Sequence, residues 1–124
     1  FNNFELRKAV GAKNIVKANR IINYFAENPK SNPLVMTISS LNGLFTQLLL
    51  FHGLKDRSKQ AVTKKLGVHP YFVDEYFLAA KNYPMRKVAQ TIAFLRDADV
   101  KSKGVGASQS QRDLLKELLF KILH

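Results

Sequence analysis

Along most of this chain apolar side chains recur at intervals of three and four, the spacing that gathers them on one face of an α-helix. Asn2 or Asn3 can cap a first short run carrying Phe4, Leu6 and Val10, and Gly11 is expected to stop it. A second run extends from about Lys13 to Asn28. Its Ile15, Val16, Ala18, Ile22 and Phe25 keep helical spacing, while Lys13, Lys17 and Arg20 take the wet side. Pro29 closes it, because proline cannot continue the backbone ladder.

The third run is apolar most of the way round. Asn32 is the expected N-cap, Pro33 suits the first helical position, and the helix should reach about Gly53. Leu34, Ile38, Leu41, Phe45, Leu48 and Leu49, with His52 at the end, make a wide apolar face, and the stretch is almost uncharged. Such a helix belongs at the centre of a fold. Ser39, Ser40 and Gly43 are small enough to let a neighbour approach closely.

Shorter elements follow. Asp56-Arg57-Ser58 reads as a turn with Ser58 capping a helix over Lys59 to Leu66, which Gly67 ends. Pro70 opens another helix through about Asn82, carrying Tyr71, Phe72, Val73, Tyr76, Phe77 and Ala80. After the break at Asn82-Tyr83-Pro84, a long helix runs from Met85 to about Lys103. Val88, Ile92, Leu95, Ala98 and Val100 are its inward candidates. The glycine-rich Lys103 to Gly106 ends it, and Ser108 with Gln111 forms a capping box. The last helix holds Leu114, Leu115, Leu118, Leu119, Ile122 and Leu123. No alternating strand, repeat or long linker interrupts the series. The pattern therefore predicts one all-α domain over residues 1–124, a bundle of about seven helices.

Composition sharpens this picture. A chain of 124 residues is long enough to bury a core without disulfides or metal, and it has no cysteine. Thiolate metal sites and a cysteine nucleophile are excluded, and a reducing, cytoplasmic setting suits it. The chain begins with Phe1 and no leader pattern follows, so it is expected to be an excised domain of a longer protein. Uninterrupted apolar runs such as Leu48 to Phe51 are too short for a bilayer, so no membrane partner is expected.

Lys and Arg number 20 against 9 Asp and Glu, a net charge of +11 that favours polyanionic partners. The excess is spread along the whole chain without a basic arm, as on solvated helix faces.

Catalytic chemistry finds no foothold. His52, His69 and His124 fall on separate elements, and Asp97 and Asp99, two apart on a helix, do not share a face. His69 before Pro70 suits a capping or packing role, and His52 a half-buried place at a helix end. No phosphate-binding loop and no nucleophile with a base is present. Neither an enzyme nor a cofactor or metal site is expected.

KKLGVHPYFVDEY, Lys64 to Tyr76, has the outline of a helix-turn-helix. A recognition helix needs cationic or amide side chains early, where they meet base edges and phosphates. Here Asp74 and Glu75 come early and Lys81 late, leaving Pro70 to Tyr83 at net −1. Its aromatic residues suit packing against protein better than groove reading.

Four phrases carry a resemblance: NFELRKAVGAKNIVKANRIINYF (Asn3 to Phe25), SLNGLFTQLLLFHGL (Ser40 to Leu54), KKLGVHPYFVDEY, and LLKELLFKIL (Leu114 to Leu123). In this order the chain resembles the C-terminal collar domain of the delta subunit of bacterial DNA polymerase III, a clamp-loader component. The resemblance implies a helical domain joined to the matching domains of the other loader subunits, of delta-prime and gamma/tau type. It also implies that the chain is the C-terminal part of a longer subunit, that the sliding clamp is gripped by N-terminal domains outside this chain, and that no catalytic residue carries over. Candidate interface residues are Phe45, Leu49, Phe51, Leu115, Leu119 and Phe120, expected to be partly exposed because the spine and final helices hold more apolar residues than one narrow stripe needs. The diffuse basic charge would add an attraction for DNA. The alternative is a helix-turn-helix DNA-binding domain of a regulator, in which Lys and Arg would converge beside the Pro70 helix.

Overall fold

A computed structural model of the chain describes residues 1–104 and 110–124. Seven helices and no strand are found among the described residues. They are α1 (Asn3–Gly11), α2 (Ile15–Glu27), α3 (Leu34–His52), α4 (Lys59–Leu66), α5 (Val73–Asn82), α6 (Met85–Ser102) and α7 (Gln111–Leu123).

The starts follow from local chemistry. Asn2 Oδ1 accepts the Glu5 N–H at 2.8 Å, Asn14 Oδ1 the Lys17 N–H at 3.1 Å, and Ser58 Oγ the Ala61 N–H at 3.2 Å. Each satisfies a donor that the first helical turn leaves without a partner. At α7 the cap is Ser110, whose Oγ takes the Asp113 N–H at 3.2 Å. The expected box placed that role on Ser108, which lies outside the described residues with Val105 and Gly106. Asn32 does not cap α3: its amide donates to Asn28 O, and Pro33 is the N-cap residue without a side-chain bond. The Pro70 helix is divided. Pro70–Phe72 is a single 3₁₀ turn, capped by His69 Nδ1 accepting the Tyr71 N–H at 3.0 Å, and α5 begins at Val73.

One stop needs a particular backbone. Gly67 ends α4 at φ 65°, a left-handed conformation that glycine adopts without cost from a Cβ. Gly11, the last residue of α1, is small for a packing reason: a Cβ there would stand 3.3 Å from Ala79 Cβ, so its bareness lets α1 approach α5. The left-handed residue at that corner is Lys13, at φ 53°.

α3 is the spine. It packs on α6 most extensively and also on α1, α4 and α5, while α7 lies against α2 and α6. Its 19 residues are long and apolar enough to cross a bilayer by length and composition, which a four-residue apolar run understates. The inward face, including Leu34, Ile38, Leu41, Leu44, Phe45 and Leu48, is buried among its neighbours. A central core helix satisfies the same length and composition. Gly43 does not seat a neighbouring backbone; the nearest atom to a Cβ there is Arg7 Nη1 at 3.7 Å.

The break between α5 and α6 secures the end of α1. Tyr83 is buried, donates its hydroxyl to Val10 O at 2.7 Å, and sets its ring edge-on to Phe45 at 5.0 Å. Asn82 Nδ2 donates to Gly11 O at 2.9 Å. Val100, Ile15 and Val16 are exposed instead of buried. Each falls near a helix end, where the turn has fewer neighbours.

Candidate interaction surface

α1 presents Phe4, Arg7 and Gly11 at intervals of three and four, and α5 with its leading turn presents Phe72, Glu75, Tyr76 and Ala79 at the same intervals. Facing each other, these stripes leave a groove of about 290 Å³ whose base includes Leu44 and Gln47 of α3. The wall is aromatic and open to solvent. Phe4 is 63% exposed and its ring lies 5.6 Å from Phe72, which in turn meets Tyr71 edge-on at 5.2 Å. Tyr71 is 75% exposed.

The base is polar. Arg7 Nη2 donates to Gln47 Oε1 at 2.9 Å and to the Tyr76 hydroxyl at 3.1 Å. Tyr76 donates a short hydrogen bond to the same Gln47 oxygen. Gln47 Nε2 reaches Leu66 O at 3.3 Å, so one network ties α1, α3, α4 and α5. Burial pushes the Tyr76 phenol above its usual range, and the Arg7 charge beside it opposes the shift. On the rim Lys8 Nζ stands 3.6 Å from Glu75 Oε1, an exposed pair of small energetic weight.

The six candidate interface residues divide. Phe45, Phe51, Leu115 and Leu119 are core, contrary to the expected exposure. Phe45 faces the Tyr83 ring, Phe51 meets Phe77 edge-on at 5.0 Å, and α7 is covered by two helices, so a broad apolar stripe finds partners within the domain. Leu49, 39% exposed, and Phe120, 65% exposed with its ring 4.7 Å from His124, face solvent. Sequence pattern alone does not single out Arg7 and Gln47. Arg7 looks like any surface helix cation; Gln47, one of two amides in a mostly apolar helix, is the signal that was available.

The helix-turn-helix segment can be judged by its charges. α5 carries exposed Asp74, and its Glu75 pairs with Lys8. Another set of lysines gathers elsewhere. Lys87 Nζ donates to Lys121 O at 2.8 Å, both Lys87 and Lys121 approach the Phe94 ring, and Lys13 stands over Tyr83. Burial, with the Lys13 charge, holds the Lys87 ammonium below its usual range. His52 is half-buried at the end of α3, its Nε2 2.7 Å from Tyr83 O. Asp97 and Asp99 each pair with a lysine one turn on, Lys101 and Lys103.

The family model for the C-terminal domain of the DNA polymerase III delta subunit matches residues 1–122. No curated protein and no solved structure matches the chain. The match runs across all seven helices, in agreement with the phrases that pointed to the same family. The chain belongs to the family of C-terminal domains of the delta subunit of DNA polymerase III.

Proposed function

We propose that this chain is the helical scaffold through which a delta-type subunit joins the other subunits of a bacterial clamp loader, of delta-prime and gamma/tau type, in the cytoplasm. The family match across residues 1–122 carries the reading. Exposed apolar side chains on α3 and α7, Leu49 and Phe120, support it, since scaffold helices keep such side chains for a neighbour. The domain acts by holding an assembly together and performs no catalysis itself. The sliding clamp is reached through domains outside this chain. The net charge of +11 adds a salt-sensitive attraction for DNA held near the loader.

The regulator alternative is less well supported, because Asp74 and Glu75 stand where phosphates would lie and the lysine cluster at Lys87 and Lys121 is on other helices. The test is a pull-down of the chain with purified loader subunits, alongside a duplex-binding titration. Retention by a gamma/tau-type or delta-prime subunit, reduced in a Leu49→Asp, Phe120→Asp double variant, is the expected result. Retention by none of them, with sequence-selective duplex binding, would replace the scaffold reading with the regulator.

A further inference from the structure

The Arg7 guanidinium is part-buried under apolar walls, and its partners there are neutral. Both of its hydrogen bonds leave from Nη2, to Gln47 Oε1 and the Tyr76 hydroxyl. Among the described residues no carboxylate pairs with it, and its Nε and Nη1 donors have no acceptor. The nearest acid on the groove rim, Glu75, is engaged by Lys8. A positive charge in such a place attracts an anion more strongly than a surface lysine does, because less water screens it. Meanwhile Phe4 and Leu78, 63% and 47% exposed, leave apolar wall uncovered on both sides of that charge.

We propose that the groove between α1 and α5 binds the C-terminus of a partner polypeptide whose last residues are bulky and apolar, its terminal carboxylate held by Arg7. The chemistry of the site selects this occupant. The volume of about 290 Å³ is at the small end of ligand pockets and takes one or two large side chains, not a helix. A chain end puts a carboxylate directly beside such side chains, on the shortest tether to the cation beneath them. The aromatic wall of Phe4 and Phe72 packs against those side chains, and the Lys8–Glu75 pair marks the polar rim. Arg7 is held for this role by Gln47 and Tyr76, so little side-chain freedom is lost when the carboxylate arrives. The proposal goes beyond subunit assembly and does not depend on it.

The probe is a panel of fluorescein-labelled pentapeptides, Gly-Ser-Gly followed by every pair drawn from Leu, Ile, Val, Met, Phe, Tyr and Trp. Each is made as the free acid and as the C-terminal amide, and binding is read by fluorescence anisotropy. At least one acid should bind saturably and about tenfold or more tightly than its own amide, the margin of a charge-assisted hydrogen bond. Arg7→Met should bring acid and amide together, while Phe4→Ala should weaken both. Because Arg7→Met also disturbs the Gln47–Tyr76 network, Leu78→Glu provides a second variant. It sets a carboxylate in the exposed wall, leaves the network intact, and should weaken the acid more than the amide. Failure of every acid to bind, an acid equal to its amide throughout, or a preference that survives in both Arg7→Met and Leu78→Glu would overturn the proposal.

Discussion

Tyr83 stands in the two-residue break between α5 and α6, where the sequence pattern registers only a stop. Its phenol is buried, so ionising it inside the fold is costly, and burial pushes its pKa far above the ordinary tyrosine value. The folded chain therefore holds a proton that the unfolded chain releases near pH ~10. Stability from this group is complete below that pH and is lost as pH rises beyond it. Tyr76 shifts in the same direction and adds to the slope. Tyr83→Phe removes the hydroxyl, but Val10 O keeps the Lys13 N–H at 3.0 Å, so the carbonyl is not left bare. The expected loss at neutral pH is about 1 kcal/mol, the net value of one hydrogen bond. Melting temperatures between pH 8 and 11 should fall less steeply for Tyr83→Phe than for the parent chain, with part of the slope remaining through Tyr76. Parallel curves would show that the Tyr83 phenol does not govern the alkaline response.

At the scale of the element, two glycines at helix ends serve different needs. Gly67 supplies a left-handed turn with open space around its missing Cβ, and Gly67→Ala should cost about 1 kcal/mol from backbone strain alone. Gly11 is helical and touches Ala79, so its substitution is a packing problem. Gly11→Leu should push α1 off α5 and cost about 1–3 kcal/mol, the usual penalty for overfilling a packed contact. Urea denaturation of both variants tests this, and a Gly11→Leu chain as stable as its parent would mean that α1 and α5 do not meet as described. The same elements show what is legible in the sequence. Periodicity locates all seven helices because each buries a stripe, and Asn2, Ser58 and His69 are readable as caps because their side chains reach only local donors. Asn32 misleads because its amide has a rival acceptor at Asn28 O, which no pattern of capping residues reveals.

For the molecule as a whole, sequence identifies the spine but not which of its sides is covered. Leu48 and Leu49 are alike in residue type, yet the first is buried and the second half-exposed, because neighbour positions decide this and helical spacing does not. The groove floor is hidden for the same reason: Arg7, Gln47 and Tyr76 are up to 69 positions apart and meet only in the assembled bundle. The division among the six candidate interface residues has a thermodynamic consequence. Phe45 is fully buried beside Tyr83, so Phe45→Ala leaves a cavity and should cost about 3–5 kcal/mol. That is a large part of the 5–15 kcal/mol, roughly, that holds a domain of this kind folded. Phe120 has water over most of its ring, so Phe120→Ala should change stability by no more than about 0.5 kcal/mol. Chemical denaturation of the two single variants distinguishes a side chain that holds the domain together from one left for a partner. Equal losses at the two positions would mean that Phe120 is covered within the domain, and α7 would then offer no free apolar residue there for assembly.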